Sequence, residues 1–327
     1  MFLQQALCYT MIMKKISILI PAYNEEESLG HLMPRLDKLA QDNDKYDFEF
    51  LFVDDGSKDK TLEMIRNYAK QDERVVYVSL SRWFGKEVGM IAGLDHASGD
   101  AVVIVDADLQ DPPELIPKMI GFWEDGYDDV YAKRRSREGE TWLKKTTSKI
   151  YYRLLQRSTH VAIQQDTGDF RLLDKRCVEA LKQMRESQRY TKGMYSWIGY
   201  KKKEILYDRD PRIAGKTKWN YKKLFNFAID GLTSFTTAPL RISSVVGFIV
   251  SLIAFVFIAI VVVKTTLFGD PVSGYPSLMA VVLFLGGMQL LSIGIIGEYV
   301  GRIFNETKNR PLYLVEDTNA KSPSKTR

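Results

Sequence analysis

The stretch Ala101-Val-Val-Ile-Val-Asp-Ala-Asp-Leu-Gln-Asp-Pro-Pro-Glu114 joins a strand pattern to an acidic cluster. Its apolar beginning, Ala101 to Val105, predicts a buried strand that stops at Asp106 and Asp108. Carboxylates at positions i and i+2 of an extended backbone point the same way, so both can face one cation. Mg²⁺ or Mn²⁺ accepts one or two carboxylates and completes its coordination with phosphate oxygens and water. The stretch therefore predicts a divalent-metal site at a strand end, with a solvated acidic turn as the alternative.

The sequence around this stretch alternates between strand and helix patterns. Helices are predicted at 26–41, 59–71 and 85–97, between strands at 16–20, 48–53, 75–80 and 101–105. This alternation predicts an α/β fold, Rossmann-like, with a mostly parallel sheet and helices on both faces. Ligands of such sheets bind at the carboxyl ends of the strands. Polar clusters follow three of the predicted strands, so we expect them to share that edge: Pro21–Glu25, Asp54–Ser57 and Asp106–Asp111.

Several classes of protein are disfavoured by what the chain lacks. No Gly-x-Gly-x-x-Gly follows the first strand and no Gly-x-x-x-x-Gly-Lys-Ser/Thr occurs, which argues against dinucleotide oxidoreductases and P-loop NTPases. The only cysteines are Cys8 and Cys177, and three histidines are scattered, so neither a disulfide framework nor a zinc centre is indicated. We also expect no nucleic-acid partner.

Two long apolar segments near the C-terminus predict a transmembrane hairpin. Residues 242–263 form a run of 22 residues without a charge, and a second uncharged run covers 277–297. Each is long enough to cross a bilayer as a helix. Glycines at 286, 287, 294, 297 and 301 would permit close approach of helices, so a homo-oligomer is left open.

The distribution of basic residues predicts the orientation of this hairpin. Lys and Arg flank it on both outer sides, whereas the connecting loop has only Lys264 and Asp270. By the positive-inside rule, the N-terminal domain (residues 14–240) and both termini are cytoplasmic, at the plasma (inner) membrane. The polar end of the chain, residues 315–327, is predicted to be a disordered cytoplasmic tail.

Two further segments have the composition of membrane-surface helices. Residues of about 141–157 and 219–236 mix aromatic and aliphatic side chains with Lys and Arg. Basic amphipathic helices of this kind lie on anionic membranes, so we predict two juxtamembrane, interfacial helices. Packing against the core of the domain is the alternative.

Four motifs, in order, resemble those of the family 2 inverting glycosyltransferases with the GT-A fold. They are Pro21-Ala-Tyr-Asn-Glu25, Val53-Asp-Asp-Gly-Ser57, Asp106-Ala-Asp-Leu-Gln110 and Thr167-Gly-Asp-Phe-Arg171. With the predicted hairpin, the chain resembles the polyprenyl-phosphate glycosyltransferases, which include bactoprenol glucosyltransferases and, more distantly, dolichol-phosphate mannose synthase. The resemblance runs from about Ile16 to Leu314. It implies transfer of a hexose from a nucleotide sugar, best UDP-glucose, to undecaprenyl phosphate, with Mg²⁺ or Mn²⁺ as cofactor.

The resemblance also implies the roles of individual donor-site residues. Asp54 accepts a hydrogen bond from the base. A strand-ending turn at Gly56 is the other interpretation of Asp54 and Asp55, and the two roles are compatible. Asp106 and Asp108 bind the metal, with Asp108 the more direct ligand, and Gln110 holds the diphosphate–metal unit or the sugar. The full donor-binding set is Pro21, Tyr23 and Glu25 (base and ribose), Asp54, Asp55, Asp106, Gln110 and Arg134 (phosphate).

Three residues are implied for catalysis near the acceptor. Asp169 matches an acidic position that serves as general base in hydroxyl-accepting enzymes. A lipid phosphate is already an anion, so we expect Asp169 to orient sugar or acceptor rather than to remove a proton; a simple turn is the alternative. Arg212 and Lys218 match a mobile basic loop whose cations neutralise phosphate charge, with a solvated basic surface as the alternative.

Three other functions were weighed against this one. A GDP-mannose-dependent polyprenyl-phosphate mannose synthase remains open, because the motifs do not fix the sugar. A processive polysaccharide synthase is disfavoured, since the chain has no Gln-x-x-Arg-Trp motif and only two predicted spans. A non-catalytic membrane scaffold that binds sugar nucleotides is disfavoured by the intact pair Asp106 and Asp108.

Overall fold

The computed structural model describes residues 13–135, 164, 167–208, 238–268 and 274–321. An eight-stranded sheet occupies the centre of the first of two compact units. Its strands, in spatial order, are β7-β5-β6-β4-β1-β2-β3-β8. Their bounds are β1 Lys15–Ala22, β2 Asp47–Asp54, β3 Val75–Leu80, β4 Ala101–Ile104, β5 Asp129–Arg134, β6 Thr167–Asp174, β7 Lys202–Tyr207 and β8 Val315–Thr318.

The predicted parallel strands are present, and a reversed strand joins them. β1 pairs in parallel with β2 and β4, β2 with β3, and β5 with β7. β6 runs antiparallel to both β4 and β5, with Arg171 opposite Ile104 and Thr167 opposite Lys133. Because β6 is reversed, its first residues lie beside the last residues of its neighbours. The Thr167–Arg171 motif is therefore part of a strand, and it begins at the carboxyl edge of the sheet.

Helices cover both faces of the sheet, as the sequence predicts. The apolar stripe of the first helix packs on one face, where Leu29, Leu32 and Leu36 join a core cluster with Ile16 and Ile18 of β1. The third helix packs against β1 and β2 as well. Strands covered on both faces read as continuous apolar runs, which explains why the central strands were recognisable. The helices are α1 Glu26–Gln41, α2 Thr61–Gln71, α3 Lys86–His96, α4 Ile116–Glu124 (after a 3-10 turn at Pro113–Leu115), α5 Lys175–Gln183 and α6 Thr191–Trp197.

The end of the chain corrects one prediction. Residues 315–327 were predicted to be disordered, but Val315–Thr318 forms β8, antiparallel to β3. Asp317 accepts hydrogen bonds from Arg66 (2.6 Å) and from Tyr77 (2.9 Å). An edge strand presents unpaired backbone groups, and a polar segment can satisfy them without an apolar pattern of its own. Polarity alone was therefore a poor guide to disorder here.

The second compact unit contains two long helices. α7 covers Ala238–Phe268 and α8 covers Tyr275–Thr307, and the hydroxyls of Ser243 and Ser292 are 2.9 Å apart. Both helices extend beyond the predicted spans 242–263 and 277–297, because a charge-free run marks apolar length rather than helix ends. In the described part of the chain, Phe284–Thr307 is long and apolar enough to cross a membrane, with a mean hydropathy of 1.3, and Ile242–Phe257 is a shorter apolar stretch. The segments predicted as interfacial helices, 141–157 and 219–236, lie outside the described residues.

Candidate functional site

The three polar clusters meet at one edge of the sheet, as predicted. β4, β1 and β2 are adjacent, and their carboxyl ends point the same way. Ala22 pairs with Asp54 across β1 and β2, and the backbone N–H of Val105 donates to Leu19 on the other side. The ends of three neighbouring parallel strands thus form the floor of a single site.

The end of β1 carries the residues predicted to contact a base and ribose. Pro21 pairs with Val53 inside the sheet. The ring of Tyr23 lies 6.2 Å from the ring of Trp83, centroid to centroid, at an interplanar angle of 47°. The carboxylate of Glu25 accepts a hydrogen bond from Ser28 at 2.8 Å. These residues flank the end of the sheet, and their contact with a donor remains a prediction.

The acid pair at the end of β2 is buried and bonded within the protein. Asp54 accepts from the Ser57 backbone N–H at 3.2 Å and from the Ser79 hydroxyl at 3.3 Å. Asp55 accepts from the backbone N–H groups of Phe84 (2.7 Å) and Gly85 (2.8 Å). Burial raises the pKa of Asp55 although these two bonds oppose the shift. Both aspartates therefore hold turns, and the contact of Asp54 with a base stays a prediction.

Asp55 fixes the loop that joins β3 to α3, residues 81–85. Gly85 has φ +103°, a left-handed conformation that glycine adopts without strain. Gly56 has φ +68°, and a Cβ atom there would lie 2.5 Å from the backbone carbon of Arg82. The loop is thus locked against the β2 turn. Lys86, the first residue of α3, follows it directly.

The ammonium of Lys86 joins two of the predicted site residues. Its Nζ atom lies 2.6 and 2.9 Å from the two carboxylate oxygens of Asp106 and 2.8 Å from Oδ2 of Asp169. Asp106 follows β4, whereas Asp169 is near the beginning of β6. One cation therefore bridges the predicted metal ligand and the predicted acceptor-side carboxylate.

The charges around Lys86 shift the pKa values of its neighbours. Burial would raise the pKa of Asp169, but Lys86 and Lys192 outweigh it and hold that pKa at about 2. Desolvation likewise works against the charge on Lys86, yet the carboxylates of Asp106 and Asp169 keep its pKa above the ordinary value. Burial, with the negative charge of Asp169, raises the pKa of Glu87 to about 8. Near neutral pH the centre is an ion pair of fixed charge beside a carboxyl group that is mostly protonated.

The Asp108–Gln110 turn presents the second carboxylate of the predicted metal site. Oδ1 of Asp108 accepts from the Gln110 backbone N–H at 3.2 Å. Between them Leu109 is buried and has φ +59°, an uncommon conformation for a residue with a side chain. Such strain concentrates at functional sites, where the surrounding structure imposes it.

These two carboxylates suit a metal that also binds substrate phosphate. Among the described residues, no group of three or more His, Cys, Asp or Glu side chains is arranged to hold an ion. Mg²⁺ typically takes one or two carboxylates and leaves its other positions to phosphate and water, so a set of two is sufficient. The ammonium of Lys86 on Asp106 also marks a position where a cation is stabilised.

Arg171 anchors the part of β6 that carries Asp169. It is fully buried, pairs with Asp129 at 3.1 Å and lies 3.7 Å from the ring centroid of Tyr195. It also donates to the carbonyl of Gly168 at 3.4 Å. A buried guanidinium with these partners is a rigid support, because moving it would leave charges uncompensated. Arg171 thereby fixes the backbone on which Asp169 stands.

Arg134, at the end of β5, is the last predicted site residue that the structure describes. Its Nη2 atom is 4.0 Å from the point that a Cβ on Gly168 would occupy, so it lies beside the start of β6. Its Nε is buried without a hydrogen-bond partner among the described residues. Close by, Tyr207 donates to Asp111 at 2.8 Å, and burial together with Asp111 raises the pKa of Tyr207. Arg212 and Lys218 lie outside the described residues.

Lys86 and Trp83 were missed by the sequence analysis. The segment Arg82-Trp-Phe-Gly-Lys86 follows the third predicted strand, at the same edge as the other clusters. Its position was the available signal, because every parallel strand of such a sheet ends at that edge. The segment is aromatic and basic rather than acidic, so it does not have the composition of a metal site.

Comparison with known proteins identifies the family of this chain. Residues 17–182 match the model of the family "Glycosyl transferase family 2", and residues 238–303 match "GtrB C-terminal hairpin". The uncharacterized glycosyltransferase sll0501 of Synechocystis is 49% identical over 303 residues, which cover 93% of this chain and 95% of that one.

Two further relatives have similar coverage. The SfII prophage-derived bactoprenol glucosyl transferase of Shigella flexneri is 43% identical over 309 residues, 94% of this chain and 100% of the relative. The uncharacterized glycosyltransferase YkcC of Bacillus subtilis is 43% identical over 300 residues, 92% and 93% of the two chains. The chain therefore belongs to glycosyltransferase family 2, with an enzyme domain of that family followed by a GtrB C-terminal hairpin.

Proposed function

We propose that this enzyme transfers a hexose, glucose from UDP-glucose, to a polyprenyl phosphate such as undecaprenyl phosphate. The observation that carries the proposal is the meeting of Asp106 and Asp169 on Lys86, since it joins a donor side and an acceptor side at one sheet edge. The name of the Shigella relative, a bactoprenol glucosyl transferase with 43% identity over its whole length, supports the choice of sugar and lipid. A GDP-mannose-dependent mannose synthase is the second candidate.

Asp106 and Asp108 are the residues that would hold Mg²⁺ or Mn²⁺. When bound, the ion would neutralise negative charge on the departing diphosphate. The chain's own contribution is positional: the strained turn at Leu109 fixes Asp108, and the end of β4 fixes Asp106. Gln110 and Arg134 stand at the same edge and are assigned to the diphosphate, whose charge Arg134 would offset.

The nucleotide is assigned to the ends of β1 and β2. Tyr23 and Trp83 offer two aromatic rings 6.2 Å apart, and Trp83 is 59% exposed. Pro21 and Glu25 flank them, and Asp54 and Asp55 hold the turns beneath. Stacking on an exposed indole suits an aromatic base.

The acceptor phosphate attacks the anomeric carbon directly. A new bond forms between a phosphate oxygen and that carbon, the bond to the diphosphate oxygen breaks, and the nucleoside diphosphate leaves with the electron pair. No proton has to be removed, because the acceptor is already an anion. Asp169, held ionised by Lys86, therefore orients the sugar or the acceptor, and Arg212 and Lys218 would offset charge as two anions approach. A single displacement of this kind inverts the α-linked donor to a β-linked product.

The hairpin is assigned to the membrane, where the lipid acceptor resides. Residues 242–263 and 277–297 would be the spans, the domain and both termini would be cytoplasmic, and segments 141–157 and 219–236 would lie on the surface. Labelling of Ser273→Cys from outside intact cells, after removal of Cys8 and Cys177, tests the orientation. Labelling confined to Ser324→Cys would show the reverse topology.

A donor panel separates the candidate functions. Purified protein is incubated with undecaprenyl phosphate and radiolabelled UDP-glucose, UDP-galactose or GDP-mannose, and organic-extractable label is counted. We expect label from UDP-glucose, with Asp108→Asn as the inactive control. Label from GDP-mannose alone would favour the mannose synthase. Binding of UDP-glucose without transfer from any donor would favour a scaffold and overturn the proposal.

A further inference from the structure

The backbone of Lys86 is held in place by the fold, so the position of its side chain does not depend on the choice of rotamer alone. It begins α3 directly after Gly85, whose φ of +103° sets the direction of the chain. The two backbone N–H groups just before it donate to Asp55, which is itself buried at the end of β2. The loop therefore delivers a lysine to the centre of the sheet edge and holds its backbone there.

The contacts of this lysine differ from those of a structural ion pair. Both oxygens of Asp106 lie within 2.9 Å of the one ammonium, and Asp169 lies on its other side at 2.8 Å. The side chain is 43% exposed, so solvent and ligands reach it, in contrast with the fully buried pair of Arg171 and Asp129. A partly exposed ion pair gives up one partner at smaller cost than a fully buried one.

A divalent cation on Asp106 would need the same carboxylate oxygens. Because both oxygens face Nζ, metal and ammonium compete for them. Asp169 belongs to another strand, β6, so a cation on Asp106 would leave the contact of Lys86 with Asp169 in place. Lys86 thus has two carboxylate partners on different strands, of which Asp106 is the one that a metal would need.

We propose that Lys86 is a resident counter-ion of the site, which bridges Asp106 and Asp169 before the donor binds and yields Asp106 to the metal when the donor enters. It then stays on Asp169, where its ammonium lies between donor and acceptor and offers hydrogen bonds to the acceptor phosphate. This role rests on the proposed function, in which Asp106 binds a divalent ion and Asp169 stands on the acceptor side.

The competition predicts an unusual effect of removing a positive charge. Mn²⁺ binding to the full-length protein, without donor or lipid, is titrated by the electron paramagnetic resonance signal of free Mn²⁺, and the titration is repeated with UDP. Lys86→Met should bind Mn²⁺ about tenfold more tightly than the native protein, because the ammonium no longer competes with the ion for the oxygens of Asp106. Lys86→Arg keeps the competing charge and should stay near the native affinity.

A matched control distinguishes this exchange from a general change of charge. Lys192 also acts electrostatically on Asp169, but no contact joins it to Asp106 in the described structure, so Lys192→Met should change Mn²⁺ affinity by less than about twofold. With UDP-glucose and lipid, Lys86→Met should lower kcat roughly a hundredfold with little rise in the donor KM. The lost ammonium would stabilise the transition state of transfer rather than the bound donor.

The proposal fails if folded Lys86→Met, judged by circular dichroism, binds Mn²⁺ no better than the native protein. It also fails if neither protein binds Mn²⁺ with or without UDP. Both readouts are independent of transfer. If Lys86→Met binds Mn²⁺ more tightly than the native protein, but the native protein transfers no sugar from any donor, the exchange is upheld while the proposed function fails.

Discussion

Two acid pairs lie at the ends of β2 and β4, the two strands that flank β1 in this sheet, and they have different partners. Asp54 and Asp55 follow β2, are 1% and 4% exposed, and bond to backbone N–H groups or a serine hydroxyl of the protein. Asp106, of the pair after β4, is instead paired with a lysine side chain that is 43% exposed. Asp54 and Asp55 organise loops, whereas the partner of Asp106 is a side chain rather than the backbone.

The partners that the surrounding chain gives to a carboxylate decide its role. Backbone N–H groups cannot leave, so Asp55, whose two oxygens both accept from them, is committed to the fold. An exposed ammonium on a flexible stem can leave, so Asp106 is available to another cation. In the sequence the two pairs differ in spacing, because Asp54 and Asp55 are adjacent whereas one residue separates Asp106 from Asp108. The path of residues 81–86 then gives Asp55 and Asp106 their different partners.

The largest effect, a loss of turnover, is expected from changes to Asp106 and Asp108, the pair after β4. Asp108→Asn or Asp106→Asn should lower turnover about a thousandfold, because the metal's stabilisation of the leaving diphosphate is lost. Both variants should keep the native far-ultraviolet circular dichroism spectrum. Turnover is measured as label in extracted lipid at saturating donor. Near-native turnover in either variant would show that this pair does not hold a metal that turnover requires.

Changes to Asp55, of the pair after β2, should lower the free energy of unfolding. Asp55→Asn places an amide NH₂ against the N–H of Phe84 or Gly85, leaving one donor unsatisfied, at a cost of about 1–3 kcal/mol in the free energy of unfolding. Denaturant unfolding in detergent is the measurement, with Asp106→Asn as the control that stays within about 1 kcal/mol of native. Equal losses in the two variants would show that the pairs are not distinct.

Asp317 provides a reference for the stability that a partly exposed ion pair contributes. Asp317 pairs with Arg66 on the C-terminal strand, and both side chains are about 40% exposed. Partly exposed ion pairs of this kind contribute about 0.2–1 kcal/mol, so Asp317→Asn should destabilise the protein less than Asp55→Asn does. Turnover should be native. A larger loss of stability would mean that β8 contributes more to the fold than its surface contacts suggest.

The smallest effect concerns pH, where Asp169 should leave no trace between pH 5 and pH 8. Its folded pKa of about 2 is below the ordinary 3.8, so its ionisation stabilises the folded protein above about pH 4, and this contribution is lost as the pH falls through 2. Asp169→Asn should therefore lower kcat through lost positioning while the acid side of the kcat profile keeps its shape. Loss of an acid limb in this variant would restore Asp169 as a general base.

The sequence revealed much of this molecule, for identifiable reasons. α1 and β3 occur at their predicted bounds, because apolar periodicity dominates in covered elements. The three clusters were placed at one edge because parallel strands share a direction. The bridge by Lys86 could not be predicted, since it depends on a reversed strand, β6, that brings Asp169 back to the same edge. β8 was missed because its pairing depends on a partner more than 230 residues away in the chain.

The most direct test of the account is the product itself. Lipid extracted after reaction with UDP-glucose and undecaprenyl phosphate is analysed by nuclear magnetic resonance for the anomeric configuration, with Mg²⁺ present and in excess chelator. We expect a β-linked glucosyl phosphate lipid that forms only with the divalent ion. Full turnover in chelator, or an α-linked product, would contradict it.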